Sequence, residues 1–370
     1  MLWFPGPDTA TGEDLVELHL HGGRAVIAAV ETALGALSFE SIEGRLRQAE
    51  PGEFTRRAFA NGRIDLAEAE GLADLLSAET ELQRLSAVAM AGGAFSRTVE
   101  AWRDRVLVAS ASIEALLDFS DEDDVVDLPP GFASGLRTLA DELAEWLERP
   151  RAEALHEGLR VVLAGPPNVG KSTLFNALIE DEAAITSPTA GTTRDVLTRA
   201  VALAGIPFVF VDTAGLREEA ADEIETIGIE RARAAVDRAD IILWLGPEGE
   251  GPSGAWEIAA QADCQTAISK RSARHRVSAV TGDGLDALRQ DLMETGRSLL
   301  PRPGSAALNQ RQHGLVGQAH GAVMMALGET DLLLVAESLR VARSAFDGLV
   351  GRATTEDMLD ALFGRFCIGK

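Results

Sequence analysis

Apolar positions change their period twice along the 370 residues of the chain. From about Leu66 to Pro150 they recur at helical spacing, in stretches such as LAEAEGLADLLSAETELQRLSAVAM and ADELAEWLERP, which predicts long amphipathic helices. The acidic DFSDEDDVVDLPP interrupts them and reads as a loop between helices. At Leu159 the texture shifts. LRVVLAG, IPFVFVDTAG and ADIILWLG are apolar runs of strand length with helical stretches between them, which predicts a parallel α/β domain ending near Pro301-Arg302-Pro303. ALNQRQHGLVGQAHGAVMMALGETDLLLVAESLRVARSAFDGLV is then helical again. An α/β unit is therefore expected inside an all-helical unit. Residues 1–60 are mixed: a short apolar start, a turn at His21-Gly22-Gly23 leading into a helix, and the loop-like AEPGEFTRRAFANGR. The predicted division is a partial α+β domain at 1–60, a helical domain at 61–155 and 302–370, and the α/β domain at 156–301.

Composition narrows the class. Hydrophobic residues make up 46% and charged residues 25% of the chain, enough for a sizeable core. The net charge of −24 makes the surface as a whole repel nucleic acid and anionic membranes. A nucleic-acid partner must then be met by a local basic patch or through another protein. Cys264 and Cys367 have no metal-type or redox-type spacing. No apolar run reaches the roughly 20 residues of a membrane span, and MLWFPGPDTATGED lacks the marks of a signal peptide. The expected compartment is the cytoplasm.

The chemistry concentrates in the α/β segment. Gly165-Pro166-Pro167-Asn168-Val169-Gly170-Lys171-Ser172, followed by Thr173, fits G-x-x-x-x-G-K-[ST] between a predicted strand and a predicted helix. Such a loop turns backbone N–H groups and a helix N-terminus toward phosphate oxygens. Lys171 can reach the β- and γ-phosphates, and Ser172 can ligate Mg²⁺. Asp212-Thr213-Ala214-Gly215 closes the strand FVFV, with a carboxylate for the metal and an N–H at Gly215 for the γ-phosphate. Ala190-Gly191-Thr192-Thr193-Arg194-Asp195 lies between the two and offers hydroxyls. A guanine site normally adds N-K-x-D. The best-placed match is Ser269-Lys270-Arg271-Ser272, after the apolar Thr266-Ala267-Ile268, with Ser278-Ala279 as the next base-loop element. Ser272 lacks the carboxylate, at a cost on the order of 1.5–3 kcal/mol. Weakened guanine selectivity is expected.

With the phosphate loop, AGTTRD, DTAGLREEAADEIETIGIERA and the terminal FCIGK, and with TGEDLVELHLHGG and PGEFTRRAFANGRIDLAEAE near the start, the chain resembles the MnmE (TrmE) family of tRNA-modification GTPases over nearly its whole length. The resemblance implies an N-terminal folate-binding and dimerisation domain, a helical domain, and a Ras-like G domain inserted into the latter. It implies GTP hydrolysis promoted by K⁺-assisted pairing of G domains. It also implies a homodimer that joins an FAD-dependent MnmG-type protein in a heterotetramer. Together these modify C5 of the wobble uridine of certain tRNAs, with a carbon from 5,10-methylene- or 5-formyl-tetrahydrofolate.

Carried over by position, Asn168, Ser187, Thr189 and Thr192 fall at K⁺ positions, and Ser172, Thr193 and Asp212 at Mg²⁺ positions. Glu225 falls where the attacking water is oriented, although alone it reads as a solvated helix face. Glu17, Arg63 and Lys370 fall at folate contacts, with Arg63 replacing the usual Lys. The family pattern carries a further stretch before Phe4-Pro5-Gly6-Pro7, so the first part of the folate domain is expected to be missing and folate binding to be weak. Cys367 admits three readings: a lipidation box, which Gly369 and Lys370 fit poorly, a reactive thiol in the tRNA reaction, as the resemblance implies, or a packing residue. Two alternatives to the GTPase stay open: a degenerate nucleotide-binding scaffold and an NTPase of relaxed base choice.

Overall fold

The computed structural model describes residues 1–37, 46–118, 128–179, 198–213, 233–264, 268–353, 356–364 and 366. It divides into two compact units. One comprises Met1–Ser77, Val88–Leu147 and Gly314–Lys370; the other comprises Ala78–Ala87 and Glu148–His313.

In the first unit, β1 (Leu2–Phe4) pairs antiparallel with β2 (Leu15–Glu17). Helix α1 (Arg24–Gly35) starts after Gly23, at the turn read from the sequence. It is followed by α2 (Glu53–Ala60), α3 (Leu66–Ser77), α4 (Glu81–Ala91, in this unit from Val88 onward), α5 (Ala94–Asp118) and α6 (Phe132–Glu148). The core of this unit follows from spacing. On α5 the buried apolar residues are Phe95, Val99, Trp102, Val106, Ala109, Ile113 and Leu116. These alternate steps of four and three, the seam of a coiled-coil-like pair.

The partner helix, Leu332–Val350, answers with Val335, Leu339, Ala342, Phe346 and Leu349 at the same steps. Trp102 is fully buried between Phe346, 5.9 Å away, and Trp146, edge-on at 5.9 Å. Its indole N–H donates to Glu142 Oε2 at 3.0 Å, which meets the need of a buried donor. The last helix, Glu356–Phe363, packs on α2 and α3. Phe363, Phe366 and Leu359 join Leu66, Ala69 and Phe59 there, and Arg56 pairs with Asp360 and Glu356.

The second unit is a three-layer α/β domain. After a short helix, α7 (Glu153–Glu157), come β3 (Leu159–Ala164), α8 (Lys171–Ile179), β4 (Thr198–Leu203), β5 (Ile206–Asp212), β6 (Ile241–Trp244), β7 (Trp256–Ala259), β8 (His275–Arg276) and α9 (Leu285–Leu299). The sheet order is β4-β5-β3-β6-β7-β8. Only the β4–β5 pair is antiparallel.

Strands covered on both faces read as continuous apolar runs. On β3, Val161 and Leu163 face the cluster of Leu174, Phe175, Leu178, Leu288 and Leu292, while Val162 packs with Val209, Val211 and Val236. β5 is buried at every position. Helix α9 lies so close that a Cβ at Gly296 would meet the Phe208 ring at 2.9 Å. Residues 78–87 belong to this unit through Gln83, whose amide donates to the Leu155 carbonyl at 2.7 Å, and Ser86, whose hydroxyl donates to the Ser305 carbonyl at 3.1 Å.

Candidate functional site

Chain direction puts the site at one edge of the sheet. β3 stands between β5 on one side and β6 on the other, so strand order reverses at β3. A crevice opens at the carboxyl ends of strands at such a point. The register aligns Leu163 with Asp212 and Ala164 with Trp244, so the loops after β3, β5 and β6 emerge together. A cleft beside them is lined by Gly165, Pro166, Thr213, Arg233, Trp244 and Pro247, among others.

The phosphate loop runs from Gly165 into α8, which begins at Lys171. Asn168 takes a left-handed conformation (φ 61°), tolerated by Asn better than by most residues, and Gly170 another (φ 91°). Lys171 is buried, and its Nζ donates to the carbonyls of Gly165 at 3.0 Å and Pro166 at 2.7 Å, curled over the loop it belongs to. Ser172 and Thr173 are exposed on the first turn of α8, and Asn168 is exposed in the loop, with Val169 half-buried beside it. Asp212 is fully buried at the end of β5. The hydroxyl of Thr213 donates to the Leu163 carbonyl at 2.8 Å and so ties that strand end to β3. Ser172 and Asp212 are hard oxygen donors of the kind Mg²⁺ takes.

The structure separates the residues considered for base recognition. Lys270 faces no crevice. It is fully buried, and its ammonium pairs with Glu257 Oε2 and donates to the Trp244 carbonyl, both at 2.6 Å. It holds β6 and β7 together at that point, and Ser269 beside it is exposed. Ser272 bonds Glu248 through its backbone N–H at 2.8 Å and through its hydroxyl. Another candidate loop, Ala260-Gln261-Ala262-Asp263, leaves the end of β7 (Trp256–Ala259). Glu257 hid this strand from the apolar pattern, because a charged residue interrupts the run. Lys270 is what makes that charge tolerable inside the sheet.

Sequence reading passed over Asp263 as a candidate for this reason, although A-Q-A-D keeps a carboxylate at the last place of the pattern. Its Oδ1 accepts the hydroxyl of fully buried Ser278 at 2.6 Å, and its Oδ2 takes a weak contact from Cys264 Sγ at 3.6 Å. The Ser278 hydroxyl and its own backbone N–H hold the Asp263 carboxyl below the ordinary carboxylate range. It is thus an exposed, ionised acceptor. Ser278 also accepts from the Thr281 N–H at 3.1 Å, and the half-buried Ala279 follows it. Gln261 reaches back to the Asn168 carbonyl.

In the other unit, Arg63 is exposed and pairs with Asp8 at 3.6 Å, with its stem against Gly12, while Glu17 on β2 pairs with His19 at 3.0 Å. Phe366 is buried against the helices that follow the N-terminal segment. Ser187, Thr189, Ala190, Gly191, Thr192, Thr193, Ala214, Gly215, Glu225, Cys367 and Lys370 lie outside the described residues.

A phosphate loop at the strand-order switch of a mostly parallel sheet, a carboxylate closing the neighbouring strand and a second carboxylate on the loop after β7 define a P-loop nucleotide-binding domain of the GTPase type. Known proteins narrow this. The MnmE helical domain model matches residues 66–367, and the model for the N-terminus of GTP-binding protein TrmE matches residues 1–63. The chain is 65% identical to "tRNA modification GTPase MnmE" of Erythrobacter litoralis over 370 residues, covering 100% of this chain and 86% of that one. It is 64% identical to the protein of the same name from Novosphingobium aromaticivorans, with the same coverage. The G domain of the T. maritima FeoB iron transporter matches 37% of this chain and 98% of its own at 22% identity, with a TM-score of 0.26, too low to bear on the assignment. The chain belongs to the MnmE family.

Proposed function

We infer that this chain is the GTP-hydrolysing component of a tRNA-modification system. The observation that carries the reading is a complete phosphate loop at the strand-order switch, in a chain whose relatives along its whole length are named tRNA modification GTPases.

In this reading the loop amides from Asn168 to Ser172 cradle the β- and γ-phosphates. Lys171 exchanges the Gly165 and Pro166 carbonyls for phosphate oxygens. Phosphoryl transfer asks of the protein mainly positioning and charge compensation. Loss of the Lys171 ammonium therefore lowers turnover by on the order of 100-fold or more. Asp263 accepts the N1 and N2 hydrogens of guanine, with Ser278 holding its carboxylate in place. Ser172 and Asp212 would hold Mg²⁺, which neutralises charge on the phosphates when bound. The side-chain oxygen of Asn168 would serve K⁺, together with Ser187, Thr189 and Thr192.

Arg63 and Glu17 are the described residues that would meet a reduced folate, Arg63 through its cationic donors and Glu17 through its carboxylate. Wobble-uridine chemistry at C5 then needs an FAD-dependent MnmG-type partner and a homodimer of this chain, in the cytoplasm. Among the described residues no helix is long and apolar enough to cross a membrane.

The test is reconstitution. Purified chain, the partner enzyme, undermodified tRNA, GTP and 5,10-methylene-tetrahydrofolate are combined, and the nucleosides are analysed by mass. C5-modified uridine that depends on this chain and on GTP is expected. Modification that proceeds equally well without the chain would refute the reading.

A further inference from the structure

Gln261 is in the left-handed region (φ 57°), a conformation that costs a residue of its type on the order of 1 kcal/mol and persists where surroundings impose it. Its neighbours impose it here. The Ala262 N–H donates to the Val277 carbonyl at 3.0 Å and the Cys264 N–H to the Gln261 carbonyl at 2.8 Å, which fixes a tight turn at the end of β7. The turn sends the Gln261 side chain back across the phosphate loop. Its Nε2 donates to the Asn168 carbonyl at 3.4 Å. Its Cγ and Nε2 lie so close to Gly170 that a Cβ there would meet both at 3.3 Å. Two left-handed residues on different loops, Asn168 and Gln261, are thereby joined. Two positions further along, Asp263 is fixed by Ser278.

One short loop thus carries both a contact with the phosphate cradle and a carboxylate aimed outward. The side chain that bridges to the cradle is a neutral amide, while the ammonium of Lys270, nine residues on, is buried in its pair with Glu257.

We propose that Gln261 is a positioning residue: its side chain locks the base loop to the phosphate loop, so that Asp263 and the phosphate amides engage a guanine nucleotide at one fixed separation. The proposal rests on the nucleotide-site reading of this domain. It separates two contributions of the side chain. The stem covers Gly170, which leucine would also do. The amide donates to Asn168, which leucine cannot do and lysine can.

The experiment is GDP affinity and dissociation rate, measured with a fluorescent GDP, for the full chain and for Gln261→Ala, Gln261→Leu, Gln261→Lys, Asp263→Asn and the double variant Gln261→Leu/Asp263→Asn, with thermal melting as the fold control. Gln261→Leu is expected to weaken GDP by about 3- to 10-fold, the scale of one neutral hydrogen bond, chiefly through faster dissociation. Gln261→Ala weakens it further. Gln261→Lys restores affinity to within about threefold of wild type. A residue that acts by placing Asp263 is coupled to it, so the loss caused by Gln261→Leu is expected to shrink in the Asp263→Asn background. A merely structural role would leave the two losses additive and lower the melting temperature.

Wild-type affinity in Gln261→Leu, or additivity in the cycle, would overturn the proposal while Asp263→Asn still weakens GDP. Unchanged GDP binding in Asp263→Asn would overturn the base-loop reading itself, and the proposal with it.

Discussion

The hydroxyl of Ser278 donates to Asp263 Oδ1 at 2.6 Å, and this bond joins the loop after β7 to the loop after β8. It is a charge-assisted bond from a fully buried donor to an exposed carboxylate, so one oxygen is held while the carboxylate stays at the surface.

Guanine presents two N–H donors at N1 and N2, and a carboxylate accepts both. Asp263→Asn replaces one acceptor by a donor. GTP affinity is expected to fall about 10- to 100-fold, the worth of hydrogen bonds to a charged group. Xanthosine triphosphate, with a carbonyl at C2, gains instead. Competition of GTP, XTP and ATP for one site measures the switch, and unchanged guanine preference would show that another residue reads the base.

Lys270 predicts the opposite kind of result. Lys270→Met leaves Glu257 and the Trp244 carbonyl without the ammonium inside the sheet. Breaking such a pair costs on the order of 3 kcal/mol. Denaturant unfolding is expected to show that loss. The ratio of GTP to ATP affinity in the folded variant is expected to match wild type.

These two residues also show how far the sequence was legible. Lys270 sits in an S-K-x-S run after an apolar tripeptide, and short-range pattern alone favoured it as the base reader. The competing strand, Trp256–Ala259, carries Glu257, which breaks the continuous apolar run that marks the other strands of this sheet. Only a contact 13 residues apart in sequence, Glu257 with Lys270, explains that charge within the sheet. The phosphate loop was legible because its chemistry is local: glycines, Lys and Ser at fixed offsets between a strand and a helix. The helix at Arg24 and the helical spacing from Leu66 onward were legible for the same reason. Gln261 was not, since its role lies in a contact to Asn168, distant in sequence, and in a left-handed turn that no Gly or Asn marks.

The seam of α5 makes a stability prediction. Trp102 is buried against Phe346, Trp146 and Phe95. Trp102→Ala is expected to cost about 3–5 kcal/mol, the range for aromatic truncation in a packed core, and also leaves Glu142 without its indole donor. Chemical denaturation followed by far-UV circular dichroism measures it.

Glu53 gives a pH signature. Arg47 binds both of its oxygens, at 2.7 and 3.0 Å, and the Glu50 N–H adds a third bond at 2.8 Å. The Arg47 bonds first, then the Glu50 N–H, bring its pKa down to about 2. Because the folded value lies below the unfolded one, its contribution to stability is full above the ordinary carboxylate range. It is lost as pH falls from there toward about 2. The stability difference between wild type and Glu53→Gln is expected to be constant near neutrality and to close across that window. A difference that persists at the acid end would contradict the assignment.

The most direct test of the GTPase account is the rate of GTP hydrolysis by the purified chain with Mg²⁺, in potassium chloride and in sodium chloride at equal ionic strength, for wild type and Asn168→Ala. A phosphate loop that uses Asn168 for a monovalent cation predicts hydrolysis faster in potassium by on the order of 10-fold or more, and a variant in which the two salts give the same slow rate. Equal rates in both salts for the wild type would contradict the cation site, and no hydrolysis of GTP in either salt would contradict the account as a whole.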